Sequence, residues 1–590
     1  MKLTGWIFTV LISVLMCAFL ELNHHTITGW LLFAAAAGAL VFCIRKYMGT
    51  WKWWQKGLSV LGYMVLCLCI VFVSWPPVRR VPASDTRNPE KTDVCQTVYG
   101  EVRGVVLDSG VELFAGIPYA APPVGELRWK KPQDPEPWSS VLECDTFAPM
   151  SMQVQNSPFM GSIAQIVGYH NYRISLHDNY RPANSEDSLY LNIWKPAGTV
   201  EKAPVAVYIH GGSLQTGQTW FSDYSGEGFA KDGIITVNMG YRLGVFGFLA
   251  TEEMLEEEGT AGNFGLLDQI KALEWVRDNI EHFGGDPDNV TIIGESAGAV
   301  CVDALCVSPL AKGLFRRAVM ESSTVSSPEP PHSYRLFDTA LASGKALMER
   351  YGCSSLEDLR KIPAERLVGE QVTQHHITVD GYVLTDRPYH LRKQGIHNEE
   401  AVLHGFNKEE SGPFILFDHA KLKDYEERIR RWFGSYADEV LTLYHPETDE
   451  QADEYWARIY GAMFFNYSHY CLNRLENENH VPAWEYLFSK DNGGVGSWHS
   501  GELPYVFGML AEDSKAYTNG DRDLSAIMHG YWANFIRTGE PNGQELQAFE
   551  QSEDSTMILE FGNSHGMIKD RELELYGILD RMNGWNNGDE

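Results

Sequence analysis

The chain has 590 residues, 44% of them hydrophobic and 12% aromatic, enough apolar side chain for a large buried core and too much for an intrinsically disordered protein. A formal net charge of −30 excludes the cationic footprint of a nucleic-acid binder; it describes either a solvated acidic exterior or a field that steers cationic substrates. Length alone allows several domains, but from Val94 to Met582 there is no long linker, repeat or low-complexity tract, so one large domain is expected there.

The first 75 residues are of another kind. Apolar runs from Trp6 to Leu20, Ile27 to Ile44 and Leu58 to Trp75 each approach the length of a hydrocarbon core, and they are predicted as three transmembrane helices. Two further runs after the first argue against a cleaved signal peptide. Arg45, Lys46, Lys52 and Lys56 lie in the second connection, whereas Glu21 to His25 carries no Lys or Arg. The positive-inside rule then places the second connection in the cytoplasm, and three crossings put the rest of the chain outside the cytosol at the cell membrane. Arg79 and Arg80 pull against that orientation. Trp51, Trp53 and Trp54 suit an interfacial belt or fill a loop. Residues 76–92 lack periodicity and read as a tether, and 93–590 as the single large domain.

Within that domain the pattern turns to alternating strands and helices. The apolar strand Val205-Ala-Val-Tyr-Ile209 ends in His210-Gly-Gly-Ser-Leu214, where glycine lets backbone N–H groups come close to a ligand. From Asn263 to Ile280, the residues Leu266, Ile270, Leu273, Val276 and Ile280 recur at helical spacing. The turn Phe283-Gly-Gly-Asp-Pro-Asp288 stops that helix, and the β-branched run Val290 to Ile293 enters Gly294-Glu295-Ser296-Ala297-Gly298. A Gly-x-Ser-x-Gly turn between a strand and a helix holds its serine in a tight bend with Oγ clear of the sheet, which nominates Ser296 as a nucleophile. A neutral hydroxyl is a poor nucleophile, so it needs a base, and the base needs an orienting acid. Of 19 histidines, His499 follows the strand-like Ala483-Trp-Glu-Tyr-Leu-Phe488 and a Gly-rich loop, which can carry an imidazole to the sheet edge. A short strand, Ala401-Val-Leu-His-Gly-Phe406, runs into a turn with two adjacent carboxylates, Glu409 and Glu410.

These blocks, in this order, resemble the type B carboxylesterase and cholinesterase-like family of α/β-hydrolases. The same resemblance covers Phe114-Ala-Gly-Ile-Pro-Tyr-Ala120, Pro122-Pro-Val-Gly125, Ser185-Glu-Asp-Ser-Leu-Tyr-Leu-Asn192, Tyr241-Arg-Leu-Gly-Val-Phe-Gly-Phe248 and Tyr531-Trp-Ala-Asn-Phe-Ile-Arg537, and it extends over Val94 to about Met582. It implies an α/β-hydrolase fold with a large, mostly parallel central sheet, here preceded by the membrane helices. It implies a triad of Ser296, His499 and Glu410, in the chain order Ser, Glu, His, with Glu409 as the solvent-facing neighbour. A swap between the two glutamates stays open, because Ser411 stands where the family has Gly. The oxyanion donors implied are the amides of Gly212, Ser213 and Ala297, with Gly211 shaping the turn and His210 structural. Ser213 replaces a Gly or Ala and either narrows the pocket or leaves it unchanged. Glu295 is implied to lie buried near the triad, as an electrostatic tuner of the imidazolium or as a satisfied core carboxylate.

The chain departs from the family at one disulfide. Relatives carry Cys where this sequence has Ser151 and Ser188, so both partners of that bridge are missing together. Residues 156–184 form a long segment that either lines the gorge or pads the surface. Asn289-Val-Thr291 and Asn466-Tyr-Ser468 match a glycosylation pattern without deciding anything. No metal is suggested and no cofactor implied. The expected activity is serine-dependent hydrolysis of small or hydrophobic carboxylic esters, with a small-molecule ester and the lipid bilayer as partners and no nucleic acid. The alternative is a catalytically silent cholinesterase-like ectodomain for adhesion or signalling; acyl transfer to an alcohol or amide hydrolysis would use the same residues as ester hydrolysis.

Overall fold

The structure, a computed structural model, describes the chain except residues 1, 48, 156–157, 168–173, 175–178, 199–200, 330–333, 371–375, 492–495, 513, 515, 545, 553–555 and 586–590. The chain divides into two compact units: Met1–Val81 with Gln155–Ala183 and Asp513–Ala516, and Pro82–Val154 with Asn184–Glu512 and Tyr517–Glu590.

The larger unit is built on a sheet of 13 strands among the described residues. In chain order its main strands are β1 (Lys91–Gln96), β2 (Glu101–Val106), β3 (Glu112–Pro118), β4 (Tyr190–Lys195), β5 (Ala203–Ile209), β6 (Ile235–Met239), β7 (Gly285–Glu295), β8 (Arg317–Glu321), β9 (Val402–Asn407), β10 (Ala483–Phe488), β11 (Met557–Phe561) and β12 (His565–Lys569). They lie side by side as β12-β11-β10-β9-β8-β7-β5-β6-β4-β3-β2-β1, and Leu142–Glu143 pairs with β2. The run from β6 to β11 is parallel, but β4, β3, β2 and β1 on one side and β12 on the other are antiparallel. The sheet is therefore mixed, with a parallel centre and antiparallel edges. Short connections such as that between β11 and β12 return the chain antiparallel, whereas parallel neighbours need long crossovers that carry helices.

The central strands read as continuous apolar runs because both faces are covered. Val205, Val207 and Ile209 of β5 enter one core and Ala206 and Tyr208 the other; Ile292 and Ile293 of β7 divide in the same way. The helix Phe264–Asn279 precedes β7, and the wholly buried helix Ala297–Val307 follows it. Asp303 anchors that second helix by accepting from the Val325 amide at 2.8 Å, from Ser326 Oγ at 2.7 Å and from Arg392 Nη2 at 2.6 Å. The fully buried Arg392 also bonds Glu399, at 2.6 Å, and Glu476, so one cation offsets three buried carboxylates. Arg392→Met is expected to destabilise the protein by about 3–5 kcal/mol, because it leaves those carboxylates without a counter-charge. Urea unfolding checks this, and a loss below about 1 kcal/mol would show that other groups carry the compensation.

The smaller unit contains helices Lys2–Leu22, Ile27–Lys46 and Trp53–Val73. Two of them, Ile27–Lys46 and Trp53–Val73, are long and apolar enough to cross a membrane, which corrects the expectation of three transmembrane helices. In the first, the apolar stretch Val10–Leu22 falls short of the roughly 20 residues a hydrocarbon core requires. The third helix begins at Trp53, ahead of the predicted run, and Ser74 at its end receives the Thr26 amide at 3.1 Å. Gly29 permits this approach, since a Cβ there would stand 2.4 Å from Ser74 Oγ. The stretch read as a tether holds a two-residue strand, Val78–Arg79, parallel to Arg181–Pro182, and its last residues already belong to β1.

Candidate active site

Ser296 follows directly on β7 and caps the helix Ala297–Val307 with φ 56° and ψ −127°, a left-handed bend that a side-chain-bearing residue holds only under tertiary constraint. Its amide donates to the Glu321 carbonyl at 2.8 Å, on the neighbouring strand β8. The flanking glycines are required by space. A Cβ on Gly294 would meet the Gly298 backbone at 2.4 Å, and one on Gly298 would meet the Ile209 carbonyl at 2.0 Å. The helix is thus pressed against β5, and Ser296 stays partly exposed at the top of the sheet.

His499 stands on the loop after β10, at the C-terminal edge of the same sheet. Its Nδ1 lies 2.6 Å from Glu410 Oε2, and the other Glu410 oxygen accepts the Asn407 amide at 2.7 Å. The two loops are stitched together: the Glu409 amide donates to Ser497 O at 3.1 Å and Asn407 Nδ2 to Trp498 O at 2.7 Å. Glu410 is buried and Glu409 exposed. Phe414 stands edge-on to the imidazole with ring centroids 5.1 Å apart, and Phe465 covers it at 4.9 Å. Nε2 lacks a hydrogen-bond partner among the described residues and lies 3.3 Å from Glu295 Oε1. Glu295, adjacent to Ser296 in the chain, also accepts from Ser500 Oγ at 2.6 Å, so it links the elbow to the loop bearing the imidazole.

The electrostatics follow from this burial of like charges. Burial alone would lower the His499 pKa, but Glu295 and then Glu410 outweigh it and hold the imidazole up at about 9. Burial raises Glu295, opposed mainly by His499. Glu321 is raised well above the usual carboxylate range by burial and by Glu502, and Glu502 reaches about 8 through burial with Glu295 and Glu410 nearby. Sequence reading missed Glu321, Ser500 and the two phenylalanines as part of this site. The register Glu295↔Glu321 at the ends of paired strands is the signal that would have found the first.

The loop after β5 places backbone amides beside the elbow. Gly212 has φ 104°, followed by Ser213 at 56° and Leu214 at 58°, and the Gln215 and Thr216 amides both donate to Gly212 O at 3.0 Å. A Cβ on Gly212 would meet Thr216 O at 2.2 Å; one on Gly211 would meet Glu295 O at 2.6 Å and Ser296 Cβ at 3.0 Å. Both glycines are therefore demanded by the turn and by its closeness to the elbow. His210 stacks on Tyr241 at 4.6 Å and its Nδ1 lies 2.9 Å from Gly211 O; burial lowers its pKa to about 4, so it is neutral and structural. Gln153 clamps the loop, accepting the Gly217 amide at 3.0 Å and donating to Gly217 O at 2.7 Å. A cavity of about 190 Å³ opens beside the loop, lined in part by Gln153, Val154, Gln215, Thr216, Phe246 and Val368.

None of the ten cysteines, all among the described residues, is joined in a disulfide. Ser151 and Ser188, the two positions read as a lost bridge, hold their hydroxyls 3.0 Å apart, and Ser151 Oγ also donates to Tyr241 O. Among the described residues, no group of three or more His, Cys, Asp or Glu is arranged to hold a metal.

Residues 91–575 match the model of the Carboxylesterase family. The chain is 32% identical over 492 residues to the para-nitrobenzyl esterase of Bacillus subtilis (strain 168), covering 79% of this chain and 94% of that one. It is 32% identical over 497 residues to the cholinesterase of Mus musculus, with 77% and 80% covered. Among solved structures, the Geobacillus stearothermophilus carboxylesterase EST55 at pH 6.2 superposes with a TM-score of 0.71 at 32% identity, over 82% of this chain and 100% of that one. A mixed sheet with a strained serine elbow, together with a family match over most of its length, makes this chain a member of the carboxylesterase family of α/β-hydrolases, with carboxylesterase activity.

Proposed function

We propose that the chain hydrolyses carboxylic esters through an acyl-enzyme on Ser296, with His499 as base, Glu410 as its orienting acid and the amides of Gly212, Ser213 and Ala297 as oxyanion donors. The observation that carries this reading is the 2.6 Å contact of His499 Nδ1 with Glu410, with Nε2 left 3.3 Å from Glu295 Oε1 of the elbow and without a hydrogen-bond partner among the described residues. With Nδ1–H donated to Glu410, Nε2 is the lone-pair nitrogen and takes the Ser296 proton as Oγ adds to the ester carbonyl. The preset amides meet the oxygen as it gains charge. Collapse of the tetrahedral adduct breaks the ester C–O bond, and the imidazolium gives its proton to the departing alkoxide. Water, deprotonated by the same Nε2, then cleaves the acyl-serine. A fluorophosphonate probe is expected to label Ser296, read by mass spectrometry of its peptide. Label on another serine of an active enzyme would overturn the assignment.

The cavity beside the oxyanion loop, walled by Val154, Phe246 and Val368 with Gln153 and Gln215, suits one apolar group of a compact ester. The two apolar helices serve as the membrane anchor, with the Arg45, Lys46, Lys52 and Lys56 end in the cytoplasm and residues 93–590 as the catalytic domain outside it.

A pH prediction follows from the carboxylates around His499. The base works only when neutral, so kcat/KM is expected to rise with pH towards a midpoint near 9. Glu295→Gln removes the stronger of the two charges that raise His499, and the midpoint should fall towards the ordinary imidazole range. Profiles of wild type and variant between pH 5 and 10 check this. An unchanged midpoint in the variant would show that Glu295 is only a satisfied core residue.

A further inference from the structure

The segment 155–183 belongs to the same unit as the N-terminal helices, and its described part is fastened to them. Ser162, buried on helix Pro158–Val167, donates to the Leu22 carbonyl at 3.0 Å and lies 3.0 Å from His24 Nε2. Asn179 Nδ2 donates to His25 O at 2.9 Å, and Arg181–Pro182 pairs with Val78–Arg79. His25 Nδ1 in turn meets Ser74 Oγ at 2.9 Å. All these contacts gather at one end of the helical bundle, where the first helix finishes, the second starts and the third ends.

The outward side of the helix is unlike an ordinary protein surface. Its ten residues, Pro-Phe-Met-Gly-Ser-Ile-Ala-Gln-Ile-Val, include no charge in a chain that is 21% charged. Phe159 is 38% exposed, Met160 59% and Ile166 40%, while Ser162 faces the bundle. At the same end, Trp75 packs edge-on against His25 at 5.2 Å, with the Arg181 guanidinium 5.9 Å from its ring. Tryptophan and arginine at the ends of apolar helices mark the depth at which headgroups meet acyl chains. An uncharged helix bolted to that level, apolar side out, has the composition and position of an interfacial helix.

We infer that helix Pro158–Val167 lies in the headgroup–acyl boundary of the bilayer, with Phe159, Met160 and Ile166 turned into lipid, so that an insertion of the hydrolase domain forms part of the membrane anchor. The inference rests on the reading that Ile27–Lys46 and Trp53–Val73 span the membrane. It is tested with the full chain in phosphatidylcholine nanodiscs doped with a phosphatidylcholine that carries a diazirine near the acyl carbonyl. After irradiation, mass spectrometry is expected to find lipid adducts on Phe159, Met160 or Ile166 and on both spanning helices. The double variant Phe159→Asp, Met160→Asp should lose the adducts on 158–167 while those on the spanning helices and the esterase activity persist. Adducts on the helices with the 158–167 peptide recovered unmodified would overturn the inference and leave the anchor reading standing. Crosslinks from this peptide to a second copy, in place of lipid, would overturn it too. A protein that acquires no lipid adduct anywhere would remove the anchor reading, and the inference with it.

Discussion

Ser296→Ala is expected to lower kcat/KM for a short-chain p-nitrophenyl ester by on the order of 10⁶, with no change in melting temperature. The size follows from what the substitution removes. Alanine keeps the elbow's packing, because the constraint on the turn comes from Gly294, Gly298 and the hydrogen bond from the residue 296 backbone N–H to Glu321 O, none of which needs Oγ. The amides proposed as oxyanion donors also remain, so a residual rate above that in water is expected from them and from binding alone. What vanishes is the covalent route, since His499 then has no hydroxyl to activate. A folded variant with more than a few per cent of wild-type activity would show that another group supplies the nucleophile.

Glu410→Gln should cost about 10⁴ in kcat/KM, and Glu409→Gln less than about twofold. Glu410 accepts two donors at once, the Asn407 amide at 2.7 Å and His499 Nδ1 at 2.6 Å. A glutamine there must turn its NH₂ towards one of them. Towards the Asn407 amide, it sets donor against donor in a buried turn. Towards His499, it forces the tautomer whose Nε2 carries the proton and cannot accept one from serine. Glu409, exposed and joined to the loop through its backbone, contributes no side-chain bond of this kind. Steady-state kinetics of the two variants decide the assignment; a large loss in Glu409→Gln with a small one in Glu410→Gln would exchange the roles.

The two glutamates show where sequence reasoning loses purchase. They are adjacent in a turn, both follow the apolar strand β9, and neither composition nor period separates them. They differ because the Glu410 carboxylate folds back on the Asn407 amide three residues earlier and so points under the loop that carries His499. A similar limit held for the membrane region. Hydropathy located the helices, yet it overcounted the spans. It also gave no sign that Ser162 would bond to Leu22 across 140 residues.

The elbow was legible because its causes are local. A β-branched strand, three small residues within five and a helix beginning at Ala297 constrain the backbone at Ser296 over distances of a few bonds. The glycines of the loop after β5 were legible for the same reason. The mixed sheet was not, since antiparallel edges depend on how short connections return the chain. Nor was the company of His499, whose partners Glu410 and Glu295 stand 89 and 204 residues away. Those distances are closed by parallel strands that bring their C-terminal ends to one edge, and the cluster of buried carboxylates there, from Glu295 to Glu321 and Glu502, exists only once that edge has formed. The sequence by itself determined the apolar helices, the strand-turn-helix around Ser296 and the glycine turns, because short-range sterics and periodicity act within a few residues; the tertiary structure decided which carboxylate meets His499 Nδ1, what charge surrounds that imidazole and what the described part of 155–183 packs against, because those depend on chain segments that meet only after the chain has folded.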